Sequence, residues 1–261
     1  MILFKRSIFY ITVFICVWTA FAFYIRDKYT VPILMYHQVD ACGTSKCPLN
    51  IVSPEAFDRQ MKFLKKNNYQ VISLDDLIQG IAKGVLFNRR SVVITFDDGY
   101  ADNYTTAFPV LKRYDFPALV FVVSDFVGKP GYVTWDNLKE MQGSGFVTGS
   151  HTRNHLYLPE VKDHTRLVDE IVTSKKVLED NIGREIDYFS YPSGGYSEEI
   201  KDIVKSAKYK GACATNRGYD RFNTSRYELK RVRMNDTDSN LVMLAKVSGY
   251  YNLFRDFKST H

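Results

Sequence analysis

The sequence has little excess charge and few cysteines. Its 261 residues carry 35 Lys and Arg against 29 Asp and Glu, a formal net charge of +6. Residues 1–30 contribute four basic residues and one acidic residue, so the rest of the chain has 31 basic and 28 acidic residues. Such a weak, dispersed excess of positive charge does not form the clustered basic surface that binds nucleic acid. Four cysteines are too few for a disulfide-dense miniprotein, and a 45% hydrophobic content excludes disorder.

The sequence also lacks the glycine-rich motifs of nucleotide-binding folds. No G-x-G-x-x-G follows the first predicted strand, and no G-x-x-x-x-G-K-[ST] is present. These absences remove the main support for a nucleotide-binding protein. No internal repeat or low-complexity linker is found either, and the length allows one large domain or two small ones.

The long uncharged run at the N terminus predicts a membrane segment. Ser7 to Ile25 are 19 uncharged residues with basic flanks on both sides, and about 20 apolar residues let a helix cross a bilayer. We therefore predict a transmembrane helix in residues 1–30 that anchors the protein to the membrane. A cleaved signal peptide is the alternative, because Ala20-Phe21-Ala22 matches a small-x-small cleavage site. In both cases residues 31–261 lie outside the cytoplasm, either anchored (periplasmic or extracellular) or secreted.

Two of the four cysteines share a loop. Cys42 and Cys47 are candidates for a local disulfide in an oxidising compartment. Two free thiols are the alternative. A metal site has less support, since no second Cys or His pair lies near them in the sequence. Cys213 lies in a strand-like segment, where a free buried thiol is ordinary.

Short apolar runs alternate with amphipathic helical stretches from Pro32 onward. Many of these runs are continuously apolar, as in parallel strands covered on both faces. The strand candidates are Ile33–Tyr36, Gln70–Ser73, Val92–Phe96, Leu119–Val123, Phe146–Gly149, Tyr188–Tyr191 and Gly211–Thr215, with Glu228–Arg233 as a possible eighth. The helix candidates are a helix starting at Ser53-Pro54-Glu55, then Leu74–Lys83, Asp102–Tyr114 interrupted at Pro109, Trp135–Gln142, Glu160–Asn181, Ser197–Ala207 and Ser239–Val247. This alternation predicts one α/β domain, and favours a closed or nearly closed barrel over an open doubly wound sheet.

Polar residues follow four of the predicted strands. They are His37, Asp97-Asp98-Gly99, His151-Thr152-Arg153-Asn154-His155 and Pro192-Ser193-Gly194-Gly195. The carboxyl ends of the strands in a parallel barrel form the mouth where chemistry takes place. We therefore expect these residues to converge on one face.

The types of these residues indicate a metal hydrolase. His151 and His155 are four residues apart, so one helical turn would place both imidazoles on one side, as zinc-type chelation needs. One carboxylate of the Asp97-Asp98 pair would complete the ligand set, and the other would take a proton from water, because successive strand side chains diverge. Each motif alone is also explained by a turn, a chance pair of histidines or a plain loop. Their joint occurrence at strand ends is much stronger.

Two of these motifs resemble those of the polysaccharide deacetylases of the NodB-homology type (carbohydrate esterase family four). They are Ile94-Thr95-Phe96-Asp97-Asp98-Gly99-Tyr100 and Ser150-His151-Thr152-Arg153-Asn154-His155. Pro32–His37 and Phe189–Gly194 are similar to the branch that contains exported poly-N-acetylglucosamine deacetylases of biofilm systems. The resemblance covers about residues 31–235. It implies a distorted (β/α) barrel with seven or eight parallel strands.

The resemblance implies a role for each matching residue. Asp97 would be the general base. Asp98, His151 and His155 would hold a divalent metal ion, zinc first and cobalt or nickel as alternatives. The backbone N–H of Ser193 would donate to the oxyanion.

The sequence departs from the family pattern at two places. Phe189 stands where the family's Arg-x-x-Pro-Tyr-Gly motif has the arginine that orients the base, and Ser193 replaces its tyrosine. Arg231 is our candidate for the missing arginine, with Arg233 as the alternative. The C-terminal Leu-x-His that carries the catalytic acid is also absent. His37 is its natural substitute, as in the same branch, although a hydrogen-bonded core histidine is the ordinary interpretation.

The implied activity is metal-dependent removal of N-acetyl groups from N-acetylglucosamine-type residues of an extracellular or cell-envelope polysaccharide. Tyr36, Tyr100 and Tyr191 are candidates to stack on sugar rings of this N-acetylated substrate. The alternatives are an O-deacetylase or deformylase acting on another glycan or glycolipid, and a non-catalytic, membrane-tethered glycan-binding module. His164 lies among charged residues, and we expect it to be solvated.

Overall fold

The computed structural model describes residues 2–26, 28–43, 47–217, 220 and 222–254. The helices are α1 (Ile2–Arg26), α2 (Pro54–Lys66), α3 (Leu74–Ala82), α4 (Phe108–Tyr114), α5 (Trp135–Gln142), α6 (His164–Val168), α7 (Ser174–Ile182), α8 (Glu198–Ser206) and α9 (Asn240–Lys246). The strands are β1 (Ile33–Tyr36), β2 (Gln38–Val39), β3 (Ile51–Val52), β4 (Gln70–Val71), β5 (Ser91–Phe96), β6 (Ala118–Val122), β7 (Phe146–Ser150), β8 (Tyr188–Ser190), β9 (Gly211–Cys213) and β10 (Val232–Arg233). Two π-helical turns, Asn103–Ala107 and Asp169–Thr173, lead into α4 and α7.

The strands form a curled parallel sheet. Its order is β10-β1-β5-β6-β7-β8-β9, and β4 pairs with the start of β5. Residues 229–233 connect the two ends of the sheet. Leu229 exchanges backbone hydrogen bonds with Ala212 and Ala214 beside β9, while Val232 and Arg233 pair with β1. The predicted barrel-like parallel α/β fold is confirmed, and β2 and β3, which the sequence did not predict, form a small separate sheet.

Local sequence signals explain several helix ends. Ser53 and Thr134 cap α2 and α5 by accepting a hydrogen bond from a backbone N–H of the first turn. Gly183 ends α7 in the left-handed conformation at φ 76°. The single helix predicted from Glu160 is wrong at its start, because Asp163 caps a helix that begins at His164. That helix also passes through the π-helical turn Asp169–Thr173 before it continues as α7.

The strand alternation decides which polar residues reach the interior of the curl. In β5, Val93 packs with Ile33 and Phe121 on one face of the sheet, and Ile94 packs in the other core, with the surrounding helices. Alternate residues of a strand share a face. Thr95 is therefore on the same face as Val93, and the next residue in this series is Asp97.

The N-terminal helix α1 covers the predicted membrane segment. Its side chains from Phe9 to Ala20 are exposed. Over the part of the chain that the structure describes, we find no helix whose length and apolar character are sufficient to span a bilayer. The transmembrane part of the fold prediction is therefore not confirmed.

The loop before β3 is closed by a disulfide. Cys42 and Cys47 are bonded, with their Cα atoms 5.3 Å apart. This confirms the disulfide among the alternatives that the sequence left open for the pair. Cys213 is buried and carries a free thiol.

The sheet is tightly packed around Gly149 of β7, two residues before His151, the first histidine of the His-x-x-x-His motif. A Cβ at Gly149 would lie 2.6 Å from Phe121 Cδ1 and 3.0 Å from the Tyr188 carbonyl oxygen. We expect Gly149→Ala to lower the free energy of unfolding by about 1–3 kcal/mol, because the added methyl group overpacks the site. Gly143→Ala is the control, since its Cβ would meet nothing closer than 3.4 Å. Thermal denaturation measures both variants, and equal melting temperatures would contradict the prediction.

Candidate active site

The carboxyl ends of the strands surround one polar cavity of about 390 Å³. Seven residues that the sequence singled out line it, and they come from five separate segments of the chain. The cavity-lining residues are Met35, His37, Asp97, Asp98, His151, His155, Ser193, Thr215, Asn216, Arg217 and Arg233. The convergence expected from the strand ends is therefore observed.

Asp97 is held by Arg231 in a fully buried ion pair. The guanidinium donates from Nη1 to Asp97 Oδ1 at 2.7 Å and from Nη2 to Oδ2 at 2.8 Å. It also donates from Nε to the Ala214 carbonyl and from Nη2 to Ser190 Oγ, both at 2.9 Å. Arg231 has no exposed surface and Asp97 is 3% exposed. This bidentate arrangement fixes the orientation of the carboxylate.

The electrostatics of this pair keep Asp97 ionised. Burial raises the pKa of Asp97, but the positive charge of Arg231 and the nearby His151 outweigh it, so the net pKa is below the usual value. Burial lowers the pKa of Arg231, and Asp97 more than compensates. Asp97 is thus an ionised carboxylate that faces the cavity.

Asp98 points the other way, toward the two histidines. It adopts φ 72°, which turns the chain out of the strand direction immediately after Asp97. Its Oδ1 lies 3.4 Å from His151 Nε2 and 3.2 Å from His155 Nε2. One ligand atom from each of the three residues lies within 4.8 Å of the others. Burial raises the pKa of Asp98, but hydrogen bonds and positive charge from the two histidines, when these are protonated, outweigh it and hold the pKa far below its usual value.

The donor set of these three residues fits a divalent metal ion. His151 Nδ1 lies 2.7 Å from the Ser190 carbonyl oxygen. A carbonyl only accepts hydrogen bonds, so Nδ1 carries the proton and Nε2 of the neutral ring presents a lone pair to Asp98. Asp98 Oδ1 is buried and accepts no hydrogen bond within the described residues. The lone pairs of His151 Nε2 and Asp98 Oδ1 face each other, and a cation bound between them would interact favourably with both. Two histidines with one carboxylate form a zinc-type ligand set.

The two histidines meet through a loop rather than a helix. Residues 151–157 are not helical, so the predicted helical turn is wrong. Thr152 and His155 take φ 66° and 60°, and the Thr152 hydroxyl oxygen accepts a hydrogen bond from the His155 N–H at 3.0 Å. These left-handed residues curl the loop, and the imidazole rings stand 4.9 Å apart at 70°.

His37 reaches the cavity because β1 and β5 are in register. Tyr36 pairs with Phe96, which brings His37 beside Asp97. The Tyr36 carbonyl accepts a hydrogen bond from the Asp97 N–H at 3.0 Å. Burial lowers the pKa of His37, and the charges of Asp97 and Asp98 oppose this without cancelling it. His37 therefore lines the cavity next to the ionised base candidate.

The turn at Pro192–Gly194 presents Ser193 to the cavity. Ser193 is exposed and adopts φ 53°. The Ser193 carbonyl accepts a hydrogen bond from Arg217 Nε at 3.0 Å. A Cβ at Gly194 would lie 2.2 Å from Thr215 Oγ1, so only glycine fits at that position. Packing and a hydrogen bond from the neighbouring segment thus fix the shape of the turn.

The tyrosines proposed to stack on sugar rings are mostly not available. Tyr36 and Tyr191 are 1% and 0% exposed, and their hydroxyls donate to Gln60 and to the Tyr227 carbonyl. Their assignment to substrate contact is wrong, because both rings belong to the core behind the strand ends. Tyr100 is partly exposed, with its ring stacked on Tyr132 at a centroid distance of 5.3 Å. Its contact with a sugar stays a prediction.

Sequence reasoning missed the three cavity residues that follow β9. Thr215, Asn216 and Arg217 follow β9 and line the side of the cavity next to Ser193. The rule that polar residues at strand ends form the site could have identified them, because β9 was itself predicted. Arg233, the alternative candidate to orient Asp97, also lines the cavity, whereas Arg231 makes the contact with the base candidate.

Removal of His151 tests the metal site. We expect His151→Ala to lose bound metal, because two ligands cannot replace the three-residue set. The measurement is zinc content per chain after equilibrium dialysis, by elemental analysis. His164→Ala is the matched control, since His164 is exposed and pairs with Glu199 on the surface, away from the cavity. Equal zinc content in wild type and His151→Ala would show that the metal assignment is incorrect.

The comparisons with known proteins agree with this geometry. Residues 85–212 match the family model of the polysaccharide deacetylases. YxkH of Bacillus subtilis, whose name places it among the polysaccharide deacetylases, is 31% identical over 204 residues, which cover 78% of this chain and 71% of YxkH. A Staphylococcus aureus poly-β-1,6-N-acetyl-D-glucosamine N-deacetylase is 28% identical over 199 residues, covering 71% of this chain and 68% of that protein.

A solved structure shows the same architecture. The Streptococcus pyogenes deacetylase PplD, determined in complex with acetate, superposes with a TM-score of 0.77 at 29% identity, covering 83% of this chain and 97% of PplD. The likeness therefore extends over most of this chain and nearly all of PplD. This chain belongs to the polysaccharide deacetylase family.

Proposed function

We propose that the protein is a metal-dependent N-deacetylase that acts on N-acetylglucosamine-type residues of an exported polysaccharide. The observation that carries the proposal is the pairing of two carboxylates with different partners at one cavity. Asp97 is fixed by Arg231, and Asp98 faces His151 and His155. The names of the S. aureus relatives support a β-1,6-linked substrate, and the acetate complex of PplD supports acetate as the product.

Asp98, His151 and His155 would hold the metal ion, which we propose to be zinc, with cobalt or nickel as alternatives. When bound, the ion lowers the pKa of a water molecule and polarises the acetamide carbonyl of the substrate. The Ser190 carbonyl fixes the tautomer of His151 and so keeps Nε2 available as a ligand.

The other residues would handle the protons and the developing charge. Asp97, ionised and oriented by Arg231, takes the proton from the attacking water. The Ser193 N–H donates a hydrogen bond to the oxyanion that forms when water adds to the carbonyl carbon. His37, acting as the imidazolium, then gives its proton to the departing amine nitrogen as the C–N bond breaks. The products are acetate and a glucosamine residue.

Export is part of the proposal. The Cys42–Cys47 disulfide supports it, because disulfides persist in oxidising compartments. The 19 uncharged residues from Ser7 to Ile25 support an N-terminal membrane anchor, or a signal segment that is removed. The catalytic domain would then act in the periplasm or outside the cell.

Acetate release from defined oligomers tests the function. We expect the zinc-loaded protein to release acetate from β-1,6-linked N-acetylglucosamine oligomers faster than from chitin or peptidoglycan fragments. Asp97→Asn should abolish turnover and still bind zinc, because Asp97 does not lie among the three ligands. Acetate is measured by a coupled assay and zinc by elemental analysis. Near-normal turnover by Asp97→Asn would refute the base assignment, and release of O-linked acetyl groups alone would refute the substrate class.

Replacement of Arg231 tests how the base is oriented. Arg231→Lys keeps the charge but loses the bidentate fork. We expect kcat to fall by about 100-fold, because a small displacement of a catalytic group has an effect of this size. KM should change little, since Arg231 is buried beneath the cavity. Arg233→Lys is the comparison variant, and a larger loss of kcat in it than in Arg231→Lys would transfer the orienting role to Arg233.

A further inference from the structure

Glu170 is a completely buried carboxylate that lies outside the catalytic cavity. It belongs to the π-helical turn Asp169–Thr173, between α6 and α7, and its side chain has no exposed surface. A buried carboxylate is unfavourable unless hydrogen bonds satisfy its oxygens. The hydrogen-bond partners of Glu170 therefore indicate which part of the structure it stabilises.

Those partners lie in the loop between the two histidines. Glu170 Oε2 accepts hydrogen bonds from the backbone N–H of Arg153 at 3.1 Å and of Asn154 at 2.8 Å. Glu170 Oε1 accepts a hydrogen bond from Asn154 Nδ2 at 3.0 Å and pairs with Arg166 Nη2 at 3.0 Å. One carboxylate thus binds both residues at the centre of the His-x-x-x-His loop.

The loop needs such an anchor because its conformation is unusual. Thr152 and His155 both have positive φ, a region that residues with a Cβ adopt only when their surroundings hold them there. The successive N–H groups of Arg153 and Asn154 lie between these two residues and point at the same carboxylate oxygen. Hydrogen bonds to an ionised acceptor are stronger than those between neutral groups. Glu170 therefore stabilises the curl that turns His155 toward Asp98.

A second side chain of the same helix holds the beginning of the loop. Ser174, four residues after Glu170, donates from Oγ to the Thr152 carbonyl at 3.0 Å and lies 2.7 Å from Ser150 Oγ. It is also fully buried. The π-helical turn precedes Ser174 directly, and π-turns within helices are frequent at functional sites.

We propose that Glu170 is a positioning residue of the metal site, which sets the affinity for the ion by fixing the loop that carries His155. This inference rests on the proposed metal-dependent function. Groups that orient metal ligands typically change metal affinity by about 10- to 100-fold when they are replaced.

The test compares zinc affinity of the full chain and of Glu170→Gln by competition with a chromogenic chelator. Glutamine keeps the size of the side chain. Both oxygens of Glu170 face hydrogen-bond donors, so the NH₂ group of glutamine would face a donor in either orientation of the amide. We expect zinc affinity to fall by about 10- to 100-fold. At saturating zinc, kcat should return to near the wild-type value, because all three ligands and Asp97 remain. A variant that is merely misfolded would not recover in this way.

Asp169→Asn is the matched control. Asp169 is adjacent to Glu170 and accepts hydrogen bonds from the side chain of Arg153 rather than from the loop backbone. Its zinc affinity should equal that of the wild type. Asn154→Ala is a milder variant that leaves Glu170 in place and removes one of its donors, so a smaller loss of affinity is expected. If circular dichroism shows that Glu170→Gln does not fold, the zinc affinity of Asn154→Ala is the measurement that tests the proposal.

The outcomes separate the two proposals. If the wild type binds zinc and folded Glu170→Gln binds it equally tightly, the role of Glu170 is refuted and the deacetylase proposal stands. The same holds if Glu170→Gln does not fold and Asn154→Ala binds zinc as tightly as the wild type. An equal loss in Asp169→Asn would also refute the role, because it would show general loosening of the helix. If the wild type itself binds no zinc, the proposed metal-dependent function fails, and the role of Glu170 with it.

Discussion

The site depends on one buried ion pair, Arg231 with Asp97. Moving two such charges out of water costs several kcal/mol for each ion. This cost is offset here by a bidentate contact and by further hydrogen bonds from Arg231 to Ser190 Oγ and the Ala214 carbonyl. The pair joins β5 to residues 229–233, the segment that links the two ends of the curled sheet. The contact that orients the proposed base thus also holds the barrel together.

Two adjacent carboxylates acquire different environments through backbone geometry alone. Strand alternation carries Asp97 to the interior face, where Arg231 meets it. The positive φ of Asp98 then turns the chain, and its carboxylate faces the histidines instead. A regular strand would have sent the second carboxylate to the opposite face of the sheet. The turn after β5 therefore directs the proposed base and the proposed ligand to different partners, although the two residues are adjacent in the sequence.

The loop that carries His151 and His155 shows how the residues of the proposed metal site are supported from the side away from the cavity. The ligand atoms face the cavity, while the backbone of the same loop binds Glu170 and Ser174 of the helix outside the sheet. The Ser190 carbonyl of β8 holds the His151 ring in the same way. Each of the two histidines is thus positioned by a group that belongs to a different element. The arrangement explains why the surrounding helix matters for a site that it does not itself line.

The sequence by itself determined the strands of the main sheet, the parallel barrel-like fold and most of the polar residues at the strand ends, because these follow from local periodicity and from one rule about where parallel strands end. It also singled out Arg231, though only as one of two candidates. Tertiary structure decided the rest. Burial of Tyr36 and Tyr191, the non-helical histidine loop and the partners of Glu170 depend on which distant segments pack together. Contacts between residues far apart in the chain leave no local pattern, so only the folded molecule reveals them.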